Sequence, residues 1–179
     1  MTFPLRLLFA LFACIGALSG TASAFQSPPT PFCFGDGTGS VCPCSNWGGA
    51  GHGCANSVNP LGCELVASGT SSVSADTLTL SGSGMPVNWA VYMQGTSQTG
   101  VPYGDGLRCV SGTIIRLGTK YNWGGASQYP VGTDPSISVR GLNTVGSVRN
   151  HQCFYRNSAQ FCTPSTWNLT NGLQVTWSA

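Results

Sequence analysis

The chain has 179 residues, of which only 7% are charged, against about 25% in an ordinary soluble domain. A formal net charge of +2 is too small to steer polyanions, which argues against nucleic acid and anionic membrane as partners. Disorder is equally excluded, because disordered chains pair low hydrophobicity with high charge, whereas 41% of these residues are hydrophobic.

Residues 1–24 read as an export signal. Arg6 supplies the positive charge, an apolar run extends from Leu7 to Leu18, and Ala22-Ser23-Ala24 forms a small-residue cleavage pattern. The run is about a dozen residues, short of the ~20 that a membrane span needs. A lipid-attachment box at Leu11-Phe12-Ala13-Cys14 is the rival reading. Bulky Phe12 and the apolar run continuing past Cys14 argue against it. Cleavage after Ala24 leaves 155 residues (179 minus 24), enough for one domain with a real core. No later stretch is apolar enough to span a bilayer, so a secreted product is expected. Its surface must be largely Ser, Thr, Asn, Gln and Gly, which suits packing into a matrix.

Residues 25–62 are rich in Pro, Gly and Cys and show no period, so they read as loops tied by disulfides. Of nine cysteines, Cys14 lies in the signal. The remaining set is Cys33, Cys42, Cys44, Cys54, Cys63, Cys109, Cys153 and Cys162. An even set in an exported chain predicts four disulfides. A metal site at Cys42-Pro43-Cys44 with Cys54 and Cys63 fits less well, since its spacing departs from the usual zinc pattern. No metal or cofactor is expected. Connectivity stays open, although Cys42 and Cys44 are too close along the chain to pair comfortably with each other. The expected grouping joins Cys33, Cys42, Cys44 and Cys54 among themselves, Cys109 with Cys162, and Cys63 with Cys153.

From residue 63 to 179 short alternating runs predict β-strands. Val73 and Ala75 are in phase but Leu78 and Leu80 are one step out, so a bulge or turn is expected at Asp76-Thr77. Trp89–Met93 is apolar on both faces, as a central strand should be. Thr113–Leu117, Ser136–Arg140 and Gln152–Arg156 follow as strands. Near the end, Asn171-Gly172 predicts a hairpin with a three-residue loop, Thr170 to Gly172, pairing Leu169 with Leu173 and Trp167 with Val175. No helical period stands out. The fold class expected is all-β: a disulfide-stapled β-sandwich preceded by, and packed as one domain with, the Cys/Gly-rich segment.

Two motifs repeat. Phe34-Gly35-Asp36-Gly37 is echoed by Tyr103-Gly104-Asp105-Gly106, and Asn46-Trp47-Gly48-Gly49-Ala50 recurs identically at 122–126. In a chain with 25 glycines this does not establish a duplication. Asp36 and Asp105 are each solitary, so side-chain hydrogen bonds closing turns account for them better than calcium does.

Catalysis has little to draw on. His52 sits in a disulfide loop and His151 opens a strand; there is no nucleophile elbow and no glycosidase-like carboxylate pair. The chain is therefore expected not to be an enzyme, a hydrolase built on either histidine being the weakest reading. Aromatics offer the better site. Trp47, Trp123 and Trp167 stand beside Gly or Asn near loops, where rings can face sugar. Trp89 and Trp177 are expected in the core.

The chain resembles uncharacterised secreted domains of planctomycete bacteria. The resemblance runs through Phe32-Cys33-Phe34-Gly35-Asp36-Gly37-Thr38, Cys42-Pro43-Cys44 and Gly53-Cys54-Ala55-Asn56-Ser57. It continues through Gly106-Leu107-Arg108-Cys109, Gly124-Gly125-Ala126-Ser127-Gln128-Tyr129-Pro130 and Phe161-Cys162-Thr163-Pro164-Ser165. The family pattern lacks cysteine at Cys63 and Cys153, and a joint departure implies that those two pair. The resemblance implies no activity and no catalytic residue. The expected function is a secreted, non-catalytic module with a structural or adhesive role at the cell envelope. The alternative is a carbohydrate-binding β-sandwich using loop aromatics, with polysaccharide or other envelope proteins as partners.

Overall fold

The computed structural model describes residues 27–179. The expected signal, Cys14 and the start at Phe25 lie outside them. The described chain is nearly all β, in antiparallel sheets. Its elements are β1 (Thr30–Phe32), β2 (Glu64–Ser68), β3 (Thr79–Ser83), β4 (Trp89–Tyr103), β5 (Gly106–Tyr121) and β6 (Ser127–Tyr129). There follow α1 (Ile137–Arg140), β7 (Val148–Arg156), β8 (Trp167–Leu169) and β9 (Gly172–Thr176). The larger sheet runs β1-β9-β7-β4-β5 with β8 also on β7, and the smaller runs β2-β3-β6.

Strand alternation decides what is buried between them. From the larger sheet Ala90, Tyr92, Leu117, Tyr155 and Val175 join Leu65, Leu80 and Tyr129 of the smaller sheet in one apolar cluster, completed by Trp177. Gly118 lacks a side chain where one would collide with the Tyr129 ring, 2.5 Å away. The phase break at Asp76 is real: its carboxylate accepts from Leu78 N at 2.8 Å and from Ser138 N at 2.7 Å, fastening α1 to the turn before β3.

Several expectations are corrected. Ser136–Arg140 is not a strand; Ile137–Arg140 forms a single helical turn, with Ile137 driven into the core cluster. The Asn171-Gly172 hairpin does not form. Instead β8 and β9 lie end to end along β7, Leu169 opposite Phe154 and Leu173 opposite His151. The pairing slips by one residue at Thr170-Asn171, where Thr170 N and Oγ1 bond the backbone of Cys153. A continuous partner strand already offered both runs a ladder, so no reversal was needed.

Disulfide connectivity also differs. The bonds are Cys33–Cys109, Cys42–Cys54 and Cys44–Cys162, with Cα separations of 5.7 to 5.9 Å. Only Cys42–Cys54 stays inside the loop segment. Phe32 and Cys33 pack with Cys42, Cys54, Leu107 and Cys109 in a second cluster, so the loop segment lies against the β4–β5 ribbon and Cys33 reaches Cys109 rather than a cysteine of its own segment. Two of the bonds span 76 and 118 residues, the long closures that restrict an unfolded chain most, typically ~2–4 kcal/mol each.

The expected Cys63–Cys153 bond is absent; both are buried free thiols. Cys63 is engaged by Asn56 Nδ2 and by the Gly84 carbonyl, each at 3.0 Å, while Cys153 Sγ rests 3.8 Å from Met85 Sδ. Each sulfur therefore has a separate partner in the core. Burial pushes the Cys63 thiol up to about 12 and raises Cys153 as well, so neither is a ready thiolate.

Candidate functional site

An exposed aromatic cluster forms where β4 begins and β5 ends. Trp89 pairs across the ladder with Tyr121, ring centroids 5.2 Å apart and nearly perpendicular at 81°. Trp123 continues the row, 4.7 Å from Tyr121 at 56°. Trp89 is 55% and Trp123 77% exposed. Trp89 is thus not a core residue. Its odd-numbered phase, with Val91 and Met93, points away from the face that buries Ala90 and Tyr92. Trp177 does occupy the core.

The backbone fixes this row. Gly124 and Gly125 hold φ of +61° and +84°, the paired left-handed geometry of a tight hairpin turn, and Ala126 N donates to Trp123 O at 3.2 Å. Asn122 is fully buried beneath it. Its Nδ2 donates to Pro86 O at 3.3 Å and its Oδ1 accepts from Ser127 Oγ at 2.7 Å. The exposed side chain of Gln128 stands nearby in the shallow depression lined by Tyr121, Trp123 and Lys120. Lys120 itself is ion-paired with Asp134. Flat apolar faces next to amide and hydroxyl groups are the chemistry that takes a sugar ring.

The other two candidate tryptophans lie elsewhere. Trp167 packs on Tyr103 and Phe154, centroids 5.8 and 6.3 Å away, and its indole Nε1 is buried without a hydrogen-bond partner. Tyr103 and Phe154 line a cleft on the outer face of the larger sheet with Val91, Met93, Arg108 and Arg116. Trp47 is 41% exposed in the loop segment, its ring 3.7 Å from where Gly37 would carry a side chain. The five repeated residues take two shapes: around Trp123 a tight turn, around Trp47 an irregular stretch in which Gly48 N bonds Gly35 O. The repeat is one of sequence and not of structure.

Both Gly-Asp-Gly aspartates serve the backbone. Asp36 accepts from Thr38 N at 3.0 Å and Thr38 Oγ1 at 2.6 Å, and the hydroxyl holds its carboxyl below the ordinary range. Asp105 is wholly buried and accepts from Thr163 N and Oγ1 at 2.8 Å and Asn157 Nδ2 at 2.9 Å. Among the described residues no group of three or more His, Cys, Asp or Glu could hold a metal ion.

His151 is sealed in the interior with Nε2 3.3 Å from Gln94 Oε1. That oxygen also accepts from Asn143, so the neutral ring donates from Nε2. His52 Nδ1 lies 3.4 Å from Gly62 O. The residues that sequence reasoning missed are Trp89, Tyr121, Tyr103, Phe154, Arg108 and Arg116. They come from three strands, and the one available signal was the apolar outer phase of Trp89, Val91 and Met93. No family model, curated protein or solved structure matches this chain.

Proposed function

We propose that this chain is an extracellular, non-catalytic β-sandwich module that adheres to polysaccharide at the cell envelope through Trp89, Tyr121 and Trp123. The observation that carries it is the exposure of these rings. Two indoles in one row, 55% and 77% open to solvent, leave apolar area unburied that a sugar face would cover. A rigid anchored turn beneath Trp123 means little order is lost on binding. The sandwich reading rests on the apolar cluster shared by the two sheets. Export is supported by three disulfides in the described chain. The resemblance to planctomycete secreted domains belongs to the same reading and adds a location rather than a chemistry.

The test is a polysaccharide panel read by affinity electrophoresis and tryptophan fluorescence. Binding with quenching is expected, weakened about tenfold or more by Trp123→Ala, as loss of a buried ring implies. Silence across neutral and acidic polysaccharides would sink the adhesive reading.

A further inference from the structure

We infer that the cleft on the outer face of the larger sheet is a second binding site, one that takes a small amphipathic anion: an apolar body carrying a single carboxylate. It is separate from the row of Trp89, Tyr121 and Trp123 and does not rest on it.

Three observations converge. The outer phase of the central strands is apolar where solvent would call for polar residues. Val91 and Met93 of β4 alternate with Ala90 and Tyr92, which face the core, and Phe154 of β7 lies directly across the ladder from Val91. Ile114 of β5 continues the surface, with Val110 fully buried beneath. No second layer of the described chain covers it; it is the floor of an open cleft of about 250 Å3. That is below the ~300–1,000 Å3 of sites for drug-sized ligands, so the occupant is small.

Charge then selects the occupant. Arg108 and Arg116, both exposed, line the cleft, and no acidic residue lines it. Neither guanidinium has an ion-pair partner among the described residues, where the salt bridge is Lys120–Asp134. Arg108 is held in place over the Tyr103 ring, 5.9 Å from its centroid. Arg140 adds a third positive charge close by, its Nε donating to the backbone of Arg116 and Leu117 at 3.2 Å. In a chain with so few charges, two unneutralised guanidiniums lining one apolar trough, with a third beside it, are a concentrated positive field. Guanidinium groups match carboxylate geometry.

Apart from those guanidiniums, the side chains lining the cleft offer one hydroxyl, that of Tyr103. A polyhydroxylated sugar would bury hydroxyls without partners there, at a cost. A short acyl carboxylate would not.

Isothermal calorimetry with octanoate, octanamide and glucuronate separates the cases on the full folded protein. Octanoate should bind, with octanamide and glucuronate each weaker by about tenfold or more, the loss expected when a charge-assisted bond or an apolar contact goes. The double variant Arg108→Gln/Arg116→Gln should lose octanoate binding while its near-ultraviolet circular dichroism stays unchanged, both side chains being exposed. Trp123→Ala should leave octanoate binding intact, which keeps this result independent of the polysaccharide assay. No octanoate binding at millimolar concentration, equal binding of octanamide, tighter binding of glucuronate, or full binding by the double variant would each overturn the inference.

Discussion

The side-chain amide of Asn171 holds the backbone of Leu65 from both sides. Its Oδ1 accepts from Leu65 N at 2.7 Å and its Nδ2 donates to Leu65 O at 3.1 Å. Asn171 lies between β8 and β9 of the larger sheet, and Leu65 is in β2 of the smaller. One amide thus acts as a missing strand neighbour and ties the two sheets together beside the core.

Replacing it should be costly. Asn171→Leu leaves the buried N–H and C=O of Leu65 without partners, each worth about 1–3 kcal/mol of desolvation. We expect a loss of roughly 2–4 kcal/mol in urea unfolding, with the slope against denaturant unchanged. A variant as stable as the parent would show that water replaces the amide.

Acid should weaken the fold through His151. Burial first, then the Arg149 charge, lowers its folded pKa from 6.5 to about 4, although a backbone contact with Leu173 works in the opposite sense. The unfolded chain therefore takes up the proton first. Stability contributed by the neutral ring is complete above pH 6.5 and declines as pH falls toward 4, by up to about 3 kcal/mol. His151→Gln should flatten this part of the stability curve. An unchanged slope between those limits would contradict a sealed neutral histidine.

Thiol chemistry distinguishes the three-bond pattern from the four-bond expectation. Native unreduced protein should resist alkylation at every described cysteine. After denaturation without reduction, peptide mapping should find label on Cys63 and Cys153 and on none of the six paired residues. A Cys63–Cys153 peptide would refute two separate thiols.

Asp105 is a structural carboxylate whose loss should open the 157–166 loop. Both carboxylate oxygens accept, one from Thr163 N and Oγ1 and the other from Asn157 Nδ2, so Asp105→Asn sets its amide donor against one of these donors and removes a charge-assisted bond worth about 1.5–3 kcal/mol. Faster proteolysis near Phe161 is the expected readout, with Cys44–Cys162 intact. Parental protease resistance would show that the disulfide alone holds this loop.

How much was legible follows from the range of each interaction. The apolar run Trp89–Met93, the alternation of Gln152–Arg156, the phase break at Asp76 and the Pro/Gly/Cys texture of residues 25–62 are local, so the sequence displayed the all-β class and most strand positions. Period-two alternation defines two faces but does not say which one another layer covers. Trp89 therefore read as core when it is surface, and the cleft floor of Val91, Met93 and Phe154 went unseen. Cysteine partners are set by which loop rests on which strand: Cys33 reaches Cys109 because the loop segment packs along β4–β5. Asn171 is the sharpest case. Its local preference was a turn, and only the nearness of Leu65, 106 residues away in sequence, gave its amide a backbone to hold instead.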